Sequence, residues 1–398
     1  LPCAPVRRGA LAFSALSSLF LVPASADSEL VVTSITNDGK LTFEDQGATG
    51  TNFYGVEWSN DLSSWQDNWS SLEFLQTQDG AATTVDVPLF YRVTRLAEEA
   101  TALPAPVSDT DYRNGGAIDA AKDELGKKLF WDKILSGRMN ISCATCHHTM
   151  AATSDGLSLP IGEGGQGLGI MRQAPPSISE RVPRNAPHVW NLGATEFTTM
   201  FHDGRVKENS SHPSGFDSPA GDALPAGLDS VLAAQAMFPV TSNTEMAGPS
   251  DDPLGNPIGS LAAAGDIEGV WDALAVRLRA IPAYVDLFVA AFDDVNGAED
   301  ITYVHAANAI AEHESALGRA DRSAFDAYLR GDLGALNGAQ LRGMRLFYGK
   351  ADCASCHSGK FQTDHQFHAI AMPQIGPGKG DGDTGHGDHG RARETGED

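Results

Sequence analysis

Cys143-Ala144-Thr145-Cys146-His147 and, 210 residues further on, Cys353-Ala354-Ser355-Cys356-His357 decide how this chain is read. Each is a C-x-x-C-H, the arrangement that attaches a c-type haem. Two thiols add across the two vinyl groups, and the adjacent His is held beneath the iron as its axial ligand. The two-residue spacer lets one helical turn present both sulfurs to a single porphyrin edge. A zinc site would place its two C-x-x-C pairs about 15–20 residues apart, and a thioredoxin-like redox pair leaves the repeated His unexplained. The sequence therefore predicts two covalent haems, bound through Cys143, Cys146, Cys353 and Cys356, with His147 and His357 on the irons.

At 398 residues the chain has room for two or three domains, and its hydrophobic content of 41 % is ordinary for a globular protein. The formal charge of −24 is not ordinary. It argues against nucleic acid or an anionic membrane as partner and suits the steering of a basic one. Of the five cysteines, Cys3 falls in a leader and the two motifs use the other four. No structural disulfide is expected.

Arg7-Arg8, an apolar run from Ala10 to Val22 and Ala24-Ser25-Ala26 have the three parts of a signal peptide over 1–26. The apolar run is too short to span a bilayer, and no later run is long enough, so the expectation is a periplasmic protein without a membrane span. A first residue other than Met, and a Gly-, Asp- and His-rich tail about 40 residues past the second motif, lead to the expectation of a sequence truncated at both ends. His386 and His389 in that tail read as a solvated loop.

Residues 27–100 read as a small β-sandwich module. Leu30–Ile35, Asn52–Trp58 and Leu89–Val93 are rich in β-branched and aromatic residues, with turn formers between them. The module resembles fibronectin-like accessory modules of exported bacterial proteins. A Pro-bearing linker at 101–110 follows. The remainder is mostly helix and long loops. Ala120–Trp131, Ile301–Leu317 and Ala339–Phe347 have helical periodicity. Ile267–Phe292 reads as one amphipathic helix, with Trp271, Leu274, Leu278 and Ile281 on one face and a kink at Pro282. Leu129-Phe130-Trp131 and Leu346-Phe347-Tyr348 each precede a C-A-x-C-H, which reads as an internal duplication.

With these residues in view, the chain from about Ala117 onward resembles the bacterial di-haem cytochrome c peroxidase family, which includes MauG. The resemblance is carried by Leu125-Gly126-Lys127-Lys128-Leu129-Phe130, Leu135-Ser136-Gly137, Arg184-Asn185-Ala186-Pro187, Phe201-His202-Asp203-Gly204-Arg205, Gln235-Ala236-Met237-Phe238-Pro239-Val240 with Glu245-Met246, and the residues around the second motif. It implies a mainly α fold of two cytochrome c-like haem domains with long loops, an N-terminal peroxidatic one (111–262) and a C-terminal electron-transfer one (263–398). Gln235, Pro239 and Glu245 align with residues over the open face of the first iron. Cleavage of H2O2 needs a group that takes a proton from one oxygen and returns it to the other. Glu245 is the candidate for that role, with Gln235 orienting the peroxide; read without the resemblance, Glu245 is a surface carboxylate. Asn185 aligns with a calcium ligand.

Three departures from the family follow. His202 stands where relatives carry a Trp between the haems, so His202 itself or Trp190 becomes the candidate electron relay, unless His202 is a hydrogen-bonded structural residue. Glu163 lies where many relatives carry a reversible distal His, which favours a first haem open without reductive activation. Met372 is the in-chain alternative for a second distal ligand expected beyond Asp398. The implied partners are hydrogen peroxide and a small electron donor, a c-type cytochrome or cupredoxin, with a homodimer among the assemblies. The competing readings are a MauG-like oxidation of Trp or Tyr on a partner protein and a non-catalytic electron-transfer protein.

Overall fold

The computed structural model describes residues 103–176, 178, 180–370, 373–374, 381 and 385–395, and upstream of these 30–35, 41–45, 54–59, 63–64 and 90–95. The chain divides into two compact units, Leu1–Glu99 and Ala100–Asp398. In the first, β1 (Leu30–Ile35) pairs antiparallel with β2 (Leu41–Asp45), and β3 (Tyr54–Ser59) with β4 (Phe90–Arg95). Strands β1, β3 and β4 fall on the three runs expected from sequence. β2 was not anticipated, although Leu41 and Phe43 alternate with Thr42 and Glu44 as a half-buried strand would. These two pairs do not show a β-sandwich. The rest of 27–100, the leader 1–26 and Met372 lie outside the described residues.

The second unit is mainly helical with a small sheet. In chain order it holds α1 (Ala120–Trp131), α2 (Cys143–Cys146), the antiparallel strands β5 (Thr199–Met200), β6 (Val206–Glu208) and β7 (Phe216–Asp217), then α3 (Val231–Ala236) and α4 (Pro257–Ala263). There follow α5 (Ile267–Arg279), α6 (Pro282–Ala291), α7 (Tyr303–Leu317), α8 (Ala324–Leu329) and α9 (Gly338–Phe347). Among the described residues no helix is long and apolar enough to cross a membrane.

The seam between α1 and α7 centres the core. Asp119 caps α1 by accepting from the amides of Ala121 and Lys122 at 2.9 and 3.1 Å. Leu125, Leu129 and Phe130 are buried, as the periodicity predicts. Between them Gly126 meets α7 so closely that a Cβ would stand 1.8 Å from the Ala309 carbonyl oxygen. The small residues Ala306, Ala307, Ala309 and Ala311 let α7 come that near.

Where a single kinked helix was expected, α5 and α6 are separate. Ile281 is extended (φ −115°, ψ 103°), because the residue before a proline is pushed out of the helical region. Pro282 then opens α6 at its first position, where no amide is needed. Val270, Trp271, Leu274 and Leu278 of α5 are buried, and the Trp271 indole N–H donates to the Met237 carbonyl at 2.7 Å.

Candidate functional site

The first C-x-x-C-H occupies one helical turn. The His147 amide donates to the Cys143 carbonyl at 2.9 Å, so α2 and its cap present Cys143, Cys146 and His147 together. His147 Nδ1 lies 3.1 Å from the Thr153 carbonyl and 2.9 Å from that of Pro187. Two carbonyl acceptors place the proton on Nδ1 and leave the Nε2 lone pair for a ligand. Burial pushes the His147 pKa down, which also favours the neutral imidazole. Both thiols are half-buried, and desolvation pushes each up to about 12. Beside them, the Tyr303 hydroxyl and Glu314 Oε2 on α7 are buried without a hydrogen-bond partner. Cys143 and these two side chains act on one another electrostatically. Orphaned buried polar atoms call for an explanation. A wall of two thiols, a pre-oriented imidazole and such atoms fits a covalently held haem.

Glu245 sits on a wide turn, Asn243–Ala247, whose backbone closes through i→i+5 hydrogen bonds: Ala247 N–H to Ser242 O at 2.9 Å and Gly248 N–H to Asn243 O at 3.1 Å. Such turns recur at functional sites. Glu245 is half-buried, and its charge helps to raise the Cys146 thiol pKa, after desolvation and Asp155. Gln235 lies half-buried near the end of α3, and Pro239 opens the next short helical turn. Glu163 is buried and ion-paired with Arg138.

The second motif is more open. His357 is exposed, with Nδ1 3.2 Å from the Gln362 carbonyl, an arrangement parallel to that of His147. Cys353 and Cys356 are half-buried on a tight turn after Asp352, which takes a left-handed φ of 54°. Cys356, Asp364 and His368 form a close trio, but Cys356 belongs to the haem motif. The Asp203 carboxylate is fully buried and holds Arg205 at 2.8–2.9 Å, with His202 Nε2 3.7 Å away. Gly204 (φ 74°) lets Phe367 and Arg391 pack against this turn. Trp190 is half-buried. Asn185 is exposed, and its side-chain amide donates to the Leu157 carbonyl.

A family model described as di-haem cytochrome c peroxidase matches residues 120–334. The chain belongs to the di-haem cytochrome c peroxidase family. The match takes in the first motif and the Glu245 turn and ends before the second motif. Membership implies two haem c groups. Among relatives, methylamine utilization protein MauG of Methylorubrum extorquens is 32 % identical over 262 residues, covering 65 % of this chain and 56 % of the relative. Cytochrome c551 peroxidase of Pseudomonas aeruginosa is 29 % identical over 266 residues, covering 66 % and 58 %. The alignments thus span little more than half the length of those relatives. A crystal structure of a MauG-like protein associated with microbial copper homeostasis shares 25 % identity at a TM-score of 0.44, covering 76 % of this chain and 70 % of that one.

Several residues around the first motif and the Glu245 turn escaped the sequence reading. The Pro187 carbonyl, an acceptor for His147, lies in the segment read for its Asn185, and a backbone atom leaves no side-chain signature. Arg172 is buried and donates to the carbonyls of Ile161 and Gly162 at 2.5 and 2.6 Å. Glu314 sits on a helix read only for its periodicity. Arg138, next to Leu135-Ser136-Gly137, shows its partner only in three dimensions.

Proposed function

We propose that this protein is a periplasmic di-haem peroxidase that reduces H2O2 to two molecules of water with two electrons from a small donor protein and two protons. Cys143 and Cys146 would hold the first haem by thioether bonds and His147 Nε2 its iron, with Cys353, Cys356 and His357 doing so for the second. The haems supply electron storage and the iron that binds peroxide. The residues around the first supply the rest. The Glu245 carboxylate takes the proton from the nearer peroxide oxygen and delivers it to the leaving one. The Gln235 amide orients the peroxide, and Pro239 helps to keep bulk water out. His202 or Trp190 relays electrons between the haem regions. The net charge of −24 suits a donor with a basic docking face, a c-type cytochrome or cupredoxin.

The observation that supports this reading best is that the family match over residues 120–334 takes in both the first C-x-x-C-H and the wide turn that carries the half-buried Glu245. An electron-transfer protein needs no acid–base group there. The test is steady-state peroxide consumption by the full-length holoprotein with a reduced c-type cytochrome. Turnover that falls by about 100-fold or more in Glu245→Gln supports the reading. Turnover unaffected by the substitution contradicts it. A second reading, oxidation of Trp or Tyr on a partner protein, is favoured by His202 in place of the family's inter-haem Trp. It predicts slow turnover with any cytochrome donor.

A further inference from the structure

We propose that Arg138 and Glu163 form a clamp that positions the Glu245 turn for catalysis. The inference rests on the role given to Glu245 above. Glu163 is 5 % exposed, and its carboxylate is fully engaged. Oε1 accepts from Arg138 Nε at 2.6 Å and from the Asn140 side-chain amide at 2.5 Å, while Oε2 accepts from Arg138 Nη2 at 2.6 Å. The third guanidinium nitrogen of Arg138 reaches Asp252 at 3.0 Å. A forked, planar contact of this kind allows one alignment rather than many.

The two segments joined by this pair are those that grip the Glu245 turn. The Gly137 amide, next to Arg138, donates to the Met246 carbonyl at 2.8 Å. The amide of Glu163 itself donates to the Thr244 carbonyl at 3.2 Å. The carbonyls on either side of Glu245 are therefore held by two strands of chain, and the Arg138–Glu163 pair ties those strands together. The approach is close enough to require glycine on both sides. A Cβ on Gly137 would stand 1.9 Å from the Ala247 carbonyl oxygen, and one on Gly162 would stand 1.8 Å from that of Thr244. Arg172 adds a second hold through the Ile161 and Gly162 carbonyls. A buried ion pair brings little net stability of its own. Its contribution here is geometric, because proton transfer tolerates little displacement of the carboxylate. Glu163 is a positioning residue in this arrangement.

The test is rapid mixing of the oxidised full-length holoprotein with H2O2, comparing Glu245→Gln, Arg138→Gln, Glu163→Gln and the double variants. Arg138→Gln and Glu163→Gln should each slow the peroxide step by roughly 10–100-fold, as expected for a misplaced catalytic group, with haem content unchanged. Their combination should be no slower than either alone. Added to Glu245→Gln, the clamp substitutions should have no further effect, since the residue they position is gone. If Glu245→Gln slows the reaction while both clamp variants react like the parent, the clamp falls and the role of Glu245 stands. If Glu245→Gln reacts like the parent, both fall. Further slowing of the Glu245→Gln protein would also overturn the clamp. Should Arg138→Gln not fold, Arg138→Lys keeps the charge without the fork. It should react more slowly and exchange the Gly137 and Glu163 amide protons faster; parent-like values of both would overturn the proposal.

Discussion

Glu314 shows what the interior does to a single ionisable side chain. Burial pushes its pKa from an ordinary 4.5 up to about 8, and its Oε2 has no hydrogen-bond partner. Between those two values the folded protein keeps a proton that the unfolded chain has released. Stability contributed by this group is therefore present below about pH 4.5 and lost as pH rises toward 8, by a few kcal/mol in all. Urea denaturation from pH 5 to 9 should show that decline, and Glu314→Gln should flatten it; identical slopes in the two proteins would exclude Glu314 as the cause. Nothing in the sequence marks this residue, because a carboxylate on a helix looks the same whether it faces water or the core. The haem-motif residues were legible for the opposite reason. Two thiols and an imidazole must reach one porphyrin from one helical turn, so their spacing is local and fixed.

At the scale of elements, the crossing of α1 over α7 depends on the missing side chain of Gly126. Gly126→Ala would drive a methyl group into the Ala309 carbonyl, which belongs to the backbone and cannot swing aside. Overpacking of this kind should cost about 3 kcal/mol, read as a lowered urea midpoint with an unchanged slope. A midpoint equal to the parent's would mean that the helices separate without penalty. Helix periodicity gave the length of α1 and the buried face of α5 from sequence. It does not record how far a proline breaks the chain, and Pro282 ended one helix and began another where a kink was expected. The wide Glu245 turn was equally illegible. Its own i→i+5 bonds are braced from outside, by amides at Gly137 and Glu163 that lie far away in sequence.

For the whole molecule, the family assignment and the local geometry meet at the first motif. Residues 120–334 carry the family match, and within them lie the first motif and the wide turn that carries Glu245. The assignment alone does not choose between the two proposed activities, since a methylamine utilization protein MauG and a cytochrome c551 peroxidase match over similar spans. Both activities require that peroxide react at the first haem. The most direct measurement is therefore rapid mixing of the oxidised, full-length holoprotein with H2O2, followed through the haem absorption. A fast bimolecular change, slowed by about 100-fold or more in Glu245→Gln, is the result predicted. Haem absorption inert to peroxide, both in the oxidised protein and after one-electron reduction, would contradict the account and leave a protein that only carries electrons.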